Sequence, residues 1–111
     1  SIACLDRARL AGALFICPVV AAEISGHFSS PSHLQTVLKA MQISVSDFSL
    51  EDAHAAGTAF IRYKRRSSKP KERMLADFLI AAHALHQADT LLTRDRGYYQ
   101  TYFPKLKLMT P

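Results

Sequence analysis

Leu75-Ala76-Asp77-Phe78-Leu79-Ile80-Ala81-Ala82-His83-Ala84-Leu85 is the stretch whose reading decides the fold. Leu75, Phe78, Leu79, Ala82 and Leu85 recur at spacings of three and four, which predicts a helix with an apolar face. Ile80, Ala81 and Ala84 fill the remaining sides, so the helix is apolar nearly all round and is expected to be central. One acid, Asp77, interrupts the run, and its ionised form is costly to bury unless a cation or a hydrogen-bond donor compensates it. Two readings stand for it: a ligand in a site, or a first-turn acid favoured by the helix dipole by about 0.3–1 kcal/mol.

On the C-terminal side, Thr90–Thr93 reads as a strand, Gly97–Phe103 as a Tyr-rich helical turn, and Leu106–Met109 as a closing strand after Pro104. Upstream, Ser49 opens a helix with Asp52 three positions on, a weaker relative of the Ser-x-x-Glu capping box. Its apolar face is read as Leu50, Ala53, Gly57, Phe60 and Ile61, and it fades into a basic loop at Pro70. Earlier still, Leu5–Ala11 resembles a helix tail ended near Gly12, and Ala13–Ile16 a short buried strand. Pro18 suits the first turn of a helix over Val19–Phe28, where its missing N–H is harmless. Ser29, Ser30 and Pro31 begin another helix carried by Leu34, Val37, Leu38 and Met41, and Ile43–Val45 is a further short strand. Strands separated by helical crossovers predict a mainly parallel sheet in a single α/β domain.

The 111 residues carry 14 Lys and Arg against nine Asp and Glu, a net charge of +5. Lys64, Arg65, Arg66, Lys69, Lys71 and Arg73 fall within ten residues, opposed only by Glu72. That strip is either a solvated helix end or a surface for phosphates, the second being the use polyanion-binding proteins make of such stretches. No apolar run approaches the roughly 20 residues that cross a bilayer, and Ser1–Arg9 lacks the order of a signal peptide, so a cytoplasmic protein with no membrane partner is expected. Cys4 and Cys17 form no CxxC pair and read as packed thiols.

Glu23 lies within the helix after the first strand, and Asp95 two residues beyond a later strand end, where ligands of parallel α/β sheets bind. Asp95 is equally well an ordinary turn acid near Gly97, and Glu23 an exposed helix residue. Spacing alone leaves those alternatives open.

Three blocks carry a family resemblance. Cys17-Pro18-Val19-Val20-Ala21-Ala22-Glu23 resembles the N/S-P-V-V-x-A-E segment of PIN-domain ribonucleases, in particular the VapC-type toxins of bacterial toxin–antitoxin pairs. The 75–85 stretch resembles their DxLIAAxAL helix, and Leu91-Leu92-Thr93-Arg94-Asp95-Arg96-Gly97-Tyr98-Tyr99 their LLTxDxxxY turn. The ending, Tyr102-Phe103-Pro104 with Leu106-Lys107-Leu108, also fits. The resemblance implies a three-layer α/β/α fold and a Mg²⁺- or Mn²⁺-dependent endoribonuclease. It implies that Glu23, Asp77 and Asp95 are the second, third and fourth metal-binding acids, with Thr93 at a hydroxyl position that orients water or carboxylate. Lys64, Arg65, Arg66, Lys69, Lys71, Arg73, Arg94 and Arg96 are the residues expected to meet RNA. A small antitoxin protein and a homodimer are the implied partners.

The family's opening strand, with its hhDTNhh motif (h apolar) and first acid, has no counterpart here. Asp6 does not replace it, because it sits in Leu5-Asp6-Arg7-Ala8-Arg9, which resembles the following helix. The domain is therefore expected to be N-terminally incomplete, without its first central strand, and this form to bind metal weakly and cut RNA poorly. The rival within the family is a catalytically impaired module that binds RNA or an antitoxin. A phosphoacceptor receiver domain is disfavoured, since Asp95 has no Lys partner in a matching place. His83 and His86 stand three apart on a helix but lack the other ligands of a transition-metal site. Tyr98, Tyr99 and Tyr102 are either packing on a closing turn or platforms for unpaired bases.

Overall fold

The computed structural model describes residues 12–66, 74–93 and 96–110, the stretch 96–98 by its backbone alone. The chain divides into two compact units, Ser1–Asp47 and Phe48–Pro111. The helix tail expected at Leu5–Ala11, and Asp6 within it, lie outside the described residues.

In the first unit, β1 (Leu14–Ile16) pairs in parallel with β2 (Ile43–Val45), Leu14 opposite Ile43 and Ile16 opposite Val45. A bond from the Ser46 N–H to the Ile16 carbonyl, 2.9 Å, continues the ladder. Parallel pairing demands a long crossover. It is supplied by α1 (Pro18–Ile24), a 3₁₀ turn (Ser25–His27) and α2 (Pro31–Ala40). Pro18 and Pro31 both sit at the first helical positions, where no N–H is required. Ser30 caps α2 by accepting the His33 N–H at 3.1 Å. The expected helix over Val19–Phe28 is thus shorter, its last turn tightening to 3₁₀ at Ser25-Gly26-His27. Gln42, at φ 59°, takes the left-handed conformation that turns the chain out of α2 into β2.

The second unit is built on two helices, α3 (Leu50–Arg66) and α4 (Leu75–Gln87). They run antiparallel: Asp52 at the start of α3 meets His86 and Gln87 at the end of α4, while Phe60 and Tyr63 meet Phe78 near its beginning. After α4, β3 (Leu91–Leu92) pairs in parallel with β4 (Leu108–Met109), and α5 (Arg96–Tyr102) makes the crossover. Both strands are shorter than the spans Thr90–Thr93 and Leu106–Met109 expected for them, though backbone bonds from Leu91 to Lys107 (2.9 Å) and from Thr93 to Met109 (3.0 Å) extend the ladder at each end. The architecture is helix-rich α/β with parallel strands, the class that the alternating sequence pattern predicts.

The core of this unit is formed by Ala56, Ala59, Phe78, Ala81, Ala82, Ala84, Tyr99, Phe103 and Leu106. Phe78 is wholly buried and is ringed by Phe60, Tyr63, Tyr102 and Phe103 at centroid distances of 5.3–6.3 Å. Such tilted and edge-on pairs are worth about 0.5–1.5 kcal/mol each beyond the area they bury. The expected centrality of α4 holds, with five buried residues.

The apolar face assigned to α3 from sequence is right at Phe60, which packs against the core, and wrong at Leu50, Ala53 and Ile61. Leu50 is 87% exposed, Ile61 50% exposed, and Ala53 also faces solvent. The buried side instead carries Asp52, Ala56 and Ala59, with Ala55, Phe60 and Tyr63 partly buried against the core. Leu50 at the helix start and Ile61 beyond its middle drew the stripe partly off, and the true face begins with an acid.

Candidate active site

Asp77 stands at the third position of α4. Its carboxylate Oδ2 accepts the backbone N–H of Met74 at 3.1 Å, reaching back over the first turn, and its own N–H donates to the Met74 carbonyl at 3.0 Å. The first-turn role anticipated for this acid is therefore real. The side chain is half-buried, holds the helix start through Oδ2, and among the described residues has no hydrogen-bond partner at Oδ1.

Glu23 is exposed near the end of α1, in the first unit. Thr93 is half-buried just past β3, its N–H donating to the Met109 carbonyl at 3.0 Å. Asp95 and Arg94 lie outside the described residues, as do Lys69, Lys71 and Arg73. Among the described residues, no group of three or more His, Cys, Asp or Glu side chains is arranged to hold a metal ion.

Of the basic strip, Lys64, Arg65 and Arg66 end α3 on its exposed side. Lys64 places its ammonium 5.4 Å from the centre of the Phe60 ring, a cation–π contact that restrains the side chain. Because α3 and α4 are antiparallel, this cationic end and Asp77 belong to the same end of the helix pair. Arg96 opens α5. Tyr99 is buried and Tyr102 packs edge-on to Tyr63 at 5.6 Å, so both are core residues rather than stacking platforms. His83 is likewise a core residue, 5.7 Å edge-on from Phe48, which removes it from any metal site with His86.

Sequence reasoning read Asp52 as the acid of a cap with Ser49 but missed that it is wholly buried, at the far end of the same helix pair, and holds the next helix. Oδ2 accepts the Ser49 N–H at 3.0 Å, while the Asp52 N–H donates to Ser49 Oγ at 3.0 Å, a full reciprocal cap. Oδ1 lies 2.7 Å from His86 Nδ1, and Gln87 Nε2 donates to Oδ2 at 2.5 Å. Burial pushes this carboxyl's pKa up, but the Ser49 backbone N–H, His86, Gln87 and the Ser49 side chain together outweigh it and leave the value below the ordinary 3.8. On its other side the His86 ring sets Nε2 3.6 Å from the exposed Glu51 carboxylate. The signal was present in Ser49-x-x-Asp52 and in His86-Gln87 closing the next helix, but only antiparallel pairing makes them neighbours.

The PIN domain family model matches residues 2–104. The chain belongs to the PIN domain family. A similar solved structure is that of VapBC2 from Rickettsia felis bound to a DNA fragment from their promoter; the TM-score is 0.61 at 22% identity, covering 89% of this chain and 75% of that one. That likeness speaks for the PIN fold. A comparison with curated proteins finds no match. Among the described residues, no helix of this PIN domain is long and apolar enough to cross a membrane.

Proposed function

We propose that this PIN domain is a divalent-metal-dependent endoribonuclease of the VapC kind, the toxin of a bacterial toxin–antitoxin pair, with Glu23, Asp77 and Asp95 as its metal-holding acids. The observation that carries the reading is the extent of the family match: residues 2–104 include all three acid-bearing blocks. The donor set suits Mg²⁺ or Mn²⁺, since both take carboxylate oxygens readily and Mg²⁺ keeps several waters instead of filling a closed cage. The partly exposed Asp77, with Oδ1 uncommitted among the described residues, is the kind of ligand such an ion uses. When bound, the ion offsets charge on the scissile phosphate and makes a water easier to deprotonate.

The chain's own residues then have separate tasks. Asp77 offers an oxygen from a helix start that the Met74 N–H holds still. Thr93, at the end of β3, orients a carboxylate or the attacking water through its hydroxyl. Lys64, Arg65 and Arg66 attract the RNA backbone to the end of the helix pair that bears Asp77, with Lys69, Lys71, Arg73, Arg94 and Arg96 adding to the same field. An antitoxin protein is the partner this reading calls for, with a homodimer as the assembly and the cytoplasm as the compartment.

The test is cleavage of single-stranded RNA of defined sequence by the purified full-length protein, with MgCl₂ and with EDTA. Products that appear only with Mg²⁺ or Mn²⁺ support the enzyme. RNA that is bound without being cut identifies an impaired, RNA-binding PIN module instead.

A further inference from the structure

An amphipathic helix finds its rotation by hiding one side. Helix α4 is exposed only at its two ends, Leu75 at the start and His86 and Gln87 at the finish: Phe78, Ala81, Ala82, His83 and Ala84 are buried, Leu79 and Leu85 pack partly buried against the same core, and Ile80 is half-buried. The alanines make a smooth contact. Phe78 marks one rotation, but Leu79 and Ile80 follow it directly, and apolar swaps of similar volume usually cost less than about 1.5 kcal/mol in a core. Apolar burial therefore discriminates weakly between neighbouring settings of this helix.

Asp52 discriminates strongly. It is a wholly buried carboxylate whose bonds are directional, and it holds two successive residues of α4, His86 at 2.7 Å and Gln87 at 2.5 Å. Successive residues lie about 100° apart around a helix, so two such attachments define both rotation and axial position. Any other setting strands a buried charge, and breaking such a pair costs about 3–5 kcal/mol. On the other side the carboxylate is tied to Ser49 at the start of α3, so the reference point is itself fixed.

We propose that Asp52 is the positioning residue of α4, setting the helix's rotation and register and so the direction in which Asp77 is presented. The catalytic consequence rests on the metal-nuclease reading; the structural claim does not. Asp77 lies nine residues before His86 on one continuous helix, about 13.5 Å along the axis. A slip of one residue in rotation would swing its Cα by about 3.5 Å, taking a Cα radius of about 2.3 Å. Misplacement of about 1 Å at a reacting group is enough to cost a hundredfold in rate.

The test is the double variant Asp52→Leu/His86→Leu, which removes the buried charge together with its partner while exposed Gln87 turns to water. Thermal unfolding, ¹H–¹⁵N spectra of residues 75–87, Mn²⁺ titration and RNA cleavage are measured on the full-length protein. The expected result is a folded protein with multiple or exchange-broadened amide signals along α4, Mn²⁺ affinity at least tenfold weaker, and kcat lowered with KM for RNA little changed. A single sharp set of α4 signals at parent positions, with Mn²⁺ affinity intact, overturns the proposal. If the double variant does not fold, Asp52→Asn is judged by the same two outcomes. A parent that neither binds Mn²⁺ nor cuts RNA removes the nuclease reading, and the α4 spectra alone then decide the register claim.

Discussion

Replacing Asp52 by Ala removes the acceptor for three groups at once: the Ser49 N–H, His86 Nδ1 and Gln87 Nε2. The capping part is worth about 1 kcal/mol by analogy with other N-terminal caps. Hydrogen bonds to a charged acceptor contribute about 1.5–3 kcal/mol each, but Gln87 is exposed and His86 is 22% exposed, so both recover water in the variant and the upper end does not apply. A total loss of about 3–5 kcal/mol follows, the range seen when one member of a buried pair is deleted. Set against a typical domain stability of about 5–15 kcal/mol, that is a large fraction. With about 4–8 °C lost per kcal/mol in a domain near this size, the thermal midpoint should fall by at least about 12 °C. Urea unfolding followed by circular dichroism and by tyrosine fluorescence gives the free energy directly. A change below about 0.5 kcal/mol would mean that the buried carboxylate's bonds only offset its desolvation, and the reasoning would fail.

The same carboxylate sets an acid limit on stability. Its folded-state pKa is depressed, so its contribution is fully present above the ordinary value of 3.8 and is lost as the pH falls through the lower folded-state value. Asp52→Asn should flatten that acid limb, which stability measurements between pH 5 and pH 2 would show. Phe78→Ala, emptying the centre of the aromatic cluster, should cost about 3–5 kcal/mol and weaken the near-ultraviolet signal of Tyr63 and Tyr102; a neutral effect would contradict the packing described. Changing Lys64, Arg65 and Arg66 together to Gln should weaken RNA binding at every sequence tested and shallow the salt dependence by about 0.7 per lost phosphate contact, measured by fluorescence anisotropy. An unchanged slope would release these three residues from the RNA surface.

Much of the fold could be read ahead of the structure because its signals are local. Pro18 and Pro31 announce two helix starts, Ser30 and Ser49 act as caps, and Ile43–Val45 appears as a strand with the expected bounds. The apolar run of 75–85 is buried through its middle, from Phe78 to Ala84, though Leu75 at its start is exposed. What failed depended on tertiary pairing. The fully buried positions of α3 are two alanines and one acid, residues with no hydrophobic bulk to advertise them, whereas Leu50 and Ile61 advertise a face that solvent covers. Tyr102 is kept from solvent by Tyr63 and Phe78, one on α3 and one on α4, so its role depended on how two helices meet. Among the candidate site residues, the helix-capping side of Asp77 was legible in its position at the start of the helix.

The central claim is that Asp77 does more than cap its helix. Asp77→Asn keeps the shape and the oxygen that accepts the Met74 N–H while removing the charge a cation needs. The deciding measurement is the rate of Mg²⁺-dependent RNA cleavage by this variant beside the parent, with circular dichroism establishing that both are folded. A parent that cuts RNA and a folded variant slowed by at least a hundredfold is the predicted result. A variant as active as the parent would leave Asp77 a capping residue and nothing more.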